Sequence, residues 1–272
     1  MPIRIVQSKQ NARLKQLRRA LEHPPRLAAE PEAVVALEGP KLLEEALRAG
    51  LTIECVFAAH EAEWQLEALH LPAHVELLLM EHELLAPVLS TETPQPIAAL
   101  VHPRQSRDFL QPTGSGLILV LAGLQDPGNL GTLARSAEAF GARGILCLPG
   151  TVTPWNPKAI RASAGSLFRM AMLALPTDEA FTALHDSGYK VWTTAVNEAQ
   201  HPVAAQDAPL SGPVAVVIGN EGKGVPDEVA ALCDGALTIP CPGPVESLNA
   251  STAASILLYE AARQRISKAG GR

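Results

Sequence analysis

Apolar positions in the first hundred residues alternate between two periods. Val34 to Leu37, Ile53 to Ala58, Val75 to Met80 and Ile97 to Val101 are apolar runs of strand length. Between them, Pro40 to Ala49 (ended by Gly50) and Glu61 to His70 space their apolar residues as helices do, and Glu83 to Val88 reads as a helical turn. Upstream, Ser8 predicts the N-cap of a helix reaching about Leu21 and closed by Pro24 and Pro25. The pattern implies a small α/β domain over residues 1–105. Residues 103–116 (PRQSRDFLQPTGSG) then lose periodicity and gain Pro, Gly and polar groups, which places a linker at 106–115.

From 116 to 272 the pattern changes character. Runs rich in Val, Ile and Leu at 117–121, 145–148, 170–175, 190–196, 214–218 and 236–239 are continuously apolar and separated by helical stretches. Strands that do not alternate are buried on both faces, so these predict a parallel sheet covered by helices on each side. Three Gly- and Asn-rich blocks follow predicted strands: Leu124 to Gly141 (LQDPGNLGTLARSAEAFG), Val217 to Pro226 (VIGNEGKGVP) and Ile239 to Ile256 (IPCPGPVESLNASTAASI). Each reads as a loop leaving a strand's C-terminal end, where open α/β sheets bind ligands. The last block opens a helix over Thr252 to Ile266 too rich in Ala and Leu to face solvent all round, so a packed face is expected.

A chain of 272 residues with 47% apolar content has material for two compact domains. No apolar stretch reaches the roughly 18 residues of a membrane span, and the polar, basic start lacks a signal core. A cytoplasmic, membrane-free protein is the expectation. Cys55, Cys147, Cys233 and Cys241 are far apart and form no CxxC pair, which argues against a zinc site or a disulfide framework and leaves no metal expected. A net charge of −6 disfavours a nucleic-acid partner overall, but Lys9, Arg13, Lys15, Arg18, Arg19 and Arg26 crowd the start of the chain and predict a local basic face.

The blocks admit bland and sharp readings. Asn129, near the start of the first-block helix, is a helix cap or a site residue. Arg135 is a solvated surface arginine or a catalytic one. Gly219 to Gly224 is not a phosphate loop, because Gly224 follows Lys223 where Ser or Thr would be needed and only three residues separate Gly219 from Lys223. Its glycines suit a backbone that approaches a ligand closely, and Glu221 between them is an exposed loop residue or a functional carboxylate. Asn249 and Ser251 are caps of the last helix or site residues, and Ala253, Ala254, Leu257 and Leu258 read as its core.

Taken together and in order, the blocks resemble the three motifs of the SpoU (TrmH-type) RNA 2′-O-ribose methyltransferases of the SPOUT superfamily. The resemblance implies a parallel-sheet catalytic domain closed by a trefoil knot, a small N-terminal RNA-binding α/β domain, a homodimer, and S-adenosylmethionine as cofactor. Carried onto this chain, Thr194, Ala195, Ile218, Gly219, Asn220, Gly222, Ile239, Ser247 and Leu248 would hold the cofactor. Asn129, Arg135, Glu221, Ser247 and Asn249 would form the catalytic set, with Arg135 stabilising the attacking oxygen and Glu221 holding that arginine. Glu38-Gly39-Pro40-Lys41 and Leu89 to Pro94 resemble the family's substrate-binding extension. Lys9, Arg13, Lys15, Lys41 and Arg161 are the RNA-binding candidates. The expected activity is 2′-O-methylation of a ribose in structured RNA, ribosomal RNA foremost; the alternatives are transfer RNA methylation or a non-catalytic RNA-binding or assembly factor. A dinucleotide-dependent oxidoreductase is set aside, since GLQDPGNLG after the first strand of this half is not GxGxxG.

Overall fold

The computed structural model describes residues 2–27, 33–103, 106–111, 116–194, 201–245 and 247–270. It divides into two compact units, Met1–Arg104 with Thr153–Arg169, and Gln105–Val152 with Met170–Arg272.

The first unit holds a five-stranded sheet from β1 (Ile3–Ile5), β2 (Val35–Glu38), β3 (Thr52–Ala59), β4 (Glu76–Met80) and β5 (Ile97–His102), in the order β1-β4-β3-β5-β2. β1, β4 and β3 run parallel, while β5 is antiparallel to both β3 and β2. Its helices are α1 (Ala12–Glu22), α2 (Pro40–Arg48), α3 (Glu63–Glu67) and α4 (His82–Leu85), joined by α6 (Pro157–Ser163) and α7 (Ser166–Arg169) from the later segment. Leu14, Leu17 and Leu21 of α1 pack with Phe57, Leu78, Leu85 and Leu100, leaving Lys15, Arg18 and Arg19 on the exposed face.

Three local expectations are corrected here. Asn11 and not Ser8 caps α1, its Oδ1 accepting from the N–H of Arg13 (2.9 Å) and Leu14 (3.3 Å). Ser8 instead accepts from Gln10 N–H in a turn. The predicted helix over 61–70 is only a 3-10 turn at His60–Ala62 followed by α3, because its polar run offers few core-facing residues, Ala62 and Leu66 among them. β1 carried too short a pattern, three exposed residues, to be read as a strand.

Glu38, at the end of β2, is the polar centre of this unit. Its side chain is 2% exposed. Oε1 accepts from the N–H of Ser90 (3.1 Å) and from the Ser90 hydroxyl, Oε2 accepts from the Thr91 hydroxyl (3.1 Å), and an Arg161 nitrogen lies 3.7 Å from Oε1. Two stretches noted in the sequence, Glu38 to Lys41 and Leu89 to Pro94, thus meet at one carboxylate, and α6 is tied to it through Arg161.

The second unit is built on seven parallel strands: β6 (Gly116–Leu121), β7 (Gly144–Cys147), β8 (Met172–Ala174), β9 (Lys190–Thr194), β10 (Val203–Ala204), β11 (Pro213–Ile218) and β12 (Gly235–Thr238). Their order is β10-β12-β9-β11-β6-β7-β8, with β11 seated between β6 and β9. α5 (Pro127–Ala139), α8 (Thr177–Asp186), α9 (Asp227–Ala230) and α10 (Ala250–Gly270) complete it. The continuous apolar strands are buried as expected, with Ile118, Val120, Ala215 and Val217 inside one core cluster. β10 was not anticipated from the sequence. Leu257 and Leu258 of α10 are buried in their own chain, while Ile256, Tyr259 and Ile266 are exposed. A charge placed at Leu258 would therefore be buried in the chain's own core.

A buried carboxylate with this many donors predicts an asymmetric cost of removal. Glu38→Ala removes the acceptor shared by the Ser90 N–H and hydroxyl, the Thr91 hydroxyl and Arg161, leaving the last two only their longer bonds to Thr93 O and Ser90 Oγ (3.3 Å each), and should lower stability by about 3 kcal/mol. Ser90→Ala, which removes one donor, should cost about 1 kcal/mol. Urea denaturation of the two variants checks the order.

Candidate functional site

Three loops leave strands of the second unit at their C-terminal ends, after the adjacent β6 and β11 and after β12, which lies beyond β9, and converge. The one after β11 is shaped by its glycines. Asn220 and Gly224 form a small antiparallel bridge, exchanging N–H···O bonds of 2.9 Å in both directions. This folds the loop so tightly that a Cβ on Gly219 would lie 2.1 Å from the Gly224 carbonyl carbon and 2.2 Å from Val225 N, so only glycine fits. Asn220 braces the turn: Oδ1 accepts from the N–H of Gly222 (2.9 Å) and Lys223 (3.2 Å), and Nδ2 donates to Gly123 O (3.1 Å) after β6.

Glu221 at the tip receives the first loop. Oε1 accepts from Asp126 N–H (3.1 Å) and Asn129 Nδ2 (3.0 Å), and Oε2 from Gln125 N–H (3.4 Å). Burial pushes its carboxyl up, but the bonds from Asn129 and from the backbone of Glu221, Asp126 and Gln125 outweigh that, and it sits below the ordinary carboxylate range. The first loop is turned towards it by Asp126, which caps α5 through Gly128 N–H (2.5 Å) and Asn129 N–H (3.1 Å) with Pro127 at the first helical position. The cap is thus Asp126, and Asn129 is freed for the site.

The third loop joins through Asn249. Its Nδ2 donates to Asn129 Oδ1 (3.2 Å), while Oδ1 caps α10, accepting from Ser251 N–H (2.8 Å), Ser251 Oγ (2.6 Å) and Thr252 N–H (3.4 Å). Glu221, Asn129 and Asn249, which are 92 and 120 residues apart in sequence, form one connected group. Arg135 does not join them within the chain. It lies six residues beyond Asn129 on α5, about 120° further round and about 9 Å along the axis, is exposed, and makes no hydrogen bond or ion pair among the described residues. Glu221 holds Asn129 and two backbone amides, not Arg135.

Beside this group lies a cavity of about 820 Å³, within the usual range for small-molecule sites. Thr194, Ile218, Gly219, Asn220, Gly222, Ile239, Ser247 and Leu248 all line it; Ala195 lies outside the described residues. Its apolar wall comes from Ile218, Leu237, Val245, Leu248 and Leu257, and its polar side from the 219–224 backbone, Thr194 and Thr238. That donor set, an apolar slot facing a glycine-rich backbone, fits a nucleoside carrying a charged amino-acid chain. Cys241 and Val245 lay within the third block and were overlooked; His201 also lines the cavity and had no local signal in the sequence. Ala253 and Leu257, expected as plain core, form part of its floor. Among the described residues no three His, Cys, Asp or Glu cluster as a metal site would need.

The candidate RNA ligands separate. Lys9, Lys15 and Lys41 are exposed. Arg13 is half-buried and occupied by Glu54, Glu76 and Gln16. Arg161 is held by Glu38 and Ser90, its Nη1 donating to Ser90 Oγ at 3.3 Å. No helix among the described residues is long and apolar enough to cross a membrane.

Residues 116–259 match the SpoU rRNA Methylase family and residues 11–99 the MRM3-like substrate binding domain. The chain is 31% identical over 223 residues to the 23S rRNA (guanosine(2553)-2′-O)-methyltransferase RlmP of Bacillus subtilis, covering 82% of this chain and 86% of that protein. Among solved structures it resembles an AdoMet-bound rRNA methyltransferase of Sinorhizobium meliloti, with TM-score 0.81, 26% identity, and 96% and 98% of the two chains covered. It also resembles the SpoU methyltransferase AviRb of Streptomyces viridochromogenes in complex with AdoMet, with TM-score 0.79, 28% identity, and 95% and 99% covered.

Two outcomes follow from this geometry. Gly219→Ala must push apart the 219 and 224 backbones and should abolish S-adenosylmethionine binding measured by calorimetry, with the first unit unaffected. Glu221, whose folded pKa is lowered, holds Asn129 fully above its unfolded value of about 4.3 and releases it as pH falls through the lower folded value. Asn129→Ala removes a bond to the charged form, so a carboxyl NMR titration of Glu221 should move upward in pH.

Proposed function

The chain belongs to the SpoU rRNA methylase family, and we propose that it methylates a ribose 2′-oxygen in structured ribosomal RNA with S-adenosylmethionine as donor. The observation that carries this reading is the joining of Glu221, Asn129 and Asn249 beside a glycine-walled cavity of cofactor size. S-adenosylmethionine supplies a methyl group on a sulfonium, and Gly219, Ile239 and Leu248 are the residues proposed to hold it, with Thr194, Ile218, Asn220 and Gly222 around them.

What the protein must add is position, exclusion of water and stabilisation of charge on the attacking oxygen. Asn129 keeps a spare N–H group for the ribose. Arg135 cannot serve as an ordinary base, because a guanidinium stays protonated; its role is to stabilise the developing alkoxide while an RNA phosphate or water takes the proton. Since Arg135 is exposed and does not bond Glu221 in its own chain, we assign it to the site of a second copy. A homodimer through α10 and α5 accounts for the exposed Ile256, Tyr259 and Ile266. The returning segment after β12 is proposed to thread the preceding loop as a trefoil knot.

RNA selection is assigned to the N-terminal unit, proposed as residues 1–105 and linked by 106–115 to the catalytic 116–272. Lys9, Lys15 and Lys41 are free to meet phosphates, and Arg161 joins them from α6. Arg13 is the weaker candidate, because two carboxylates already occupy it. Segment 153–169 packs into the first unit, so its contribution is tested by substitution and not by truncation.

Arg135→Ala should leave fold and cofactor affinity intact and lower the single-turnover transfer rate roughly a hundredfold. Arg135→Lys should recover little, lacking the planar fork. Mixing inactive Arg135→Ala with inactive Asn249→Ala protein should restore activity, since each mixed dimer has one site with both residues intact. A near-wild-type rate for Arg135→Ala removes it from the mechanism, and no recovery on mixing returns it to its own chain.

A further inference from the structure

The three site residues form a chain whose ends differ in kind. At one end, the Glu221 carboxylate only accepts hydrogen bonds when ionised. At the other, the N–H groups of Ser251 and Thr252 at the start of α10 only donate. Two asparagine amides, each able to face either way, lie between them.

The ends leave only one arrangement. Glu221 requires Asn129 to present Nδ2 (3.0 Å), so Asn129 Oδ1 faces Asn249 and requires Nδ2 from it in turn (3.2 Å). Asn249 Oδ1 is then directed at the α10 N–H groups, which is what they require. A flip at either amide sets oxygen against oxygen at one contact and N–H against N–H at the other. The amide orientations therefore follow from chemistry, even though oxygen and nitrogen look alike.

The donor end is also braced. Ser251 is almost fully buried and adds its hydroxyl to Asn249 Oδ1 (2.6 Å). Its carbonyl accepts from Ser255 Oγ (2.7 Å), and Ser255 Oγ meets Ser136 Oγ (2.7 Å) on α5. The chain thus meets α5 twice, at Asn129 in its middle and, through Ser251 and Ser255, two turns later at Ser136. Aligned bonds that polarise one another are stronger than the same bonds in isolation.

We propose that Asn249 is a positioning residue that acts through Asn129, forming with Ser251 a one-way hydrogen-bond chain from the N-terminus of α10 to Glu221. Its direction holds the Asn129 amide in the orientation methyl transfer uses. The rate part of this claim rests on the function proposed above; the geometric part does not. The chain leaves the second Asn129 N–H for a ribose or phosphate oxygen and points both carbonyls away from Glu221.

Capping and direction are separable by substitution. Asn249→Asp keeps the shape and remains a good N-cap but, ionised, has no donor for Asn129, while Asn249→Ser caps α10 with a hydroxyl one atom too short to span to Asn129. Asn249 does not line the cavity, so cofactor affinity serves as a control. In full-length protein labelled with 15N-asparagine, both variants should keep thermal midpoint and S-adenosylmethionine affinity near wild type, shift the Asn129 side-chain amide signals, and slow single-turnover transfer about a hundredfold. Ser251→Ala should cause a smaller loss that Ser251→Thr restores. An unmoved Asn129 amide would reduce Asn249 to a cap and overturn the chain. A moved amide with an unchanged rate would overturn its role in transfer. Absence of activity in the wild-type protein would count against the proposed function, and the Asn129 signal alone then decides the geometry.

Discussion

The placement of β11 between β6 and β9 governs the rest of the second unit. Because β11 pairs in parallel register with both, the loop that leaves it opens directly beside the loop that leaves β6. Glu221 and Asp126 thereby come within hydrogen-bond reach although 95 residues separate them. The sheet is buried on both faces, so its strands have little freedom to slide, and the loops at its edge inherit that rigidity. The site is precise because a packed sheet positions it.

Within that frame, polar side chains do the joining. Asn220 ties the β11 loop to Gly123, Glu221 ties it to Asn129, and Asn249 ties the third loop to the same residue. A carboxylate alone at such a tip would be a mobile surface group. Backbone N–H donors from Gln125 and Asp126 make it a fixed anchor, and its lowered pKa is the electrostatic record of those bonds. The same logic recurs in the first unit, where Glu38 gathers Ser90, Thr91 and Arg161. There the carboxylate is buried, so its role is to bind segments of one unit together.

Much of this was legible from local pattern. Parallel strands are continuously apolar because both faces are covered, so β6, β7, β9, β11 and β12 could be recognised individually. The glycines of this loop were expected to let the backbone approach a ligand; at Gly219 the close approach is to the Gly224 and Val225 backbone of the same loop. Ile218, Gly219, Ile239 and Leu248, nominated by the family resemblance alone, line one cavity. Caps were harder, since Ser8 and Asn11, or Asp126 and Asn129, are equally able to accept from a helix N-terminus, and only the path of the preceding chain chooses between them.

By itself, then, the sequence determined the longer strands, though not the short β1 and β10, and which loops must be tight. Those properties depend on neighbours within a few residues. Tertiary structure alone decided that Asn129 bonds Glu221 and Asn249, that Arg13 is consumed by Glu54 and Glu76, that Arg161 belongs with Glu38, and that Arg135 stands apart from the carboxylate in its own chain. Each of these is a pairing across tens of residues or more. A side chain's partners are set by which strands lie side by side, and no local period encodes that order.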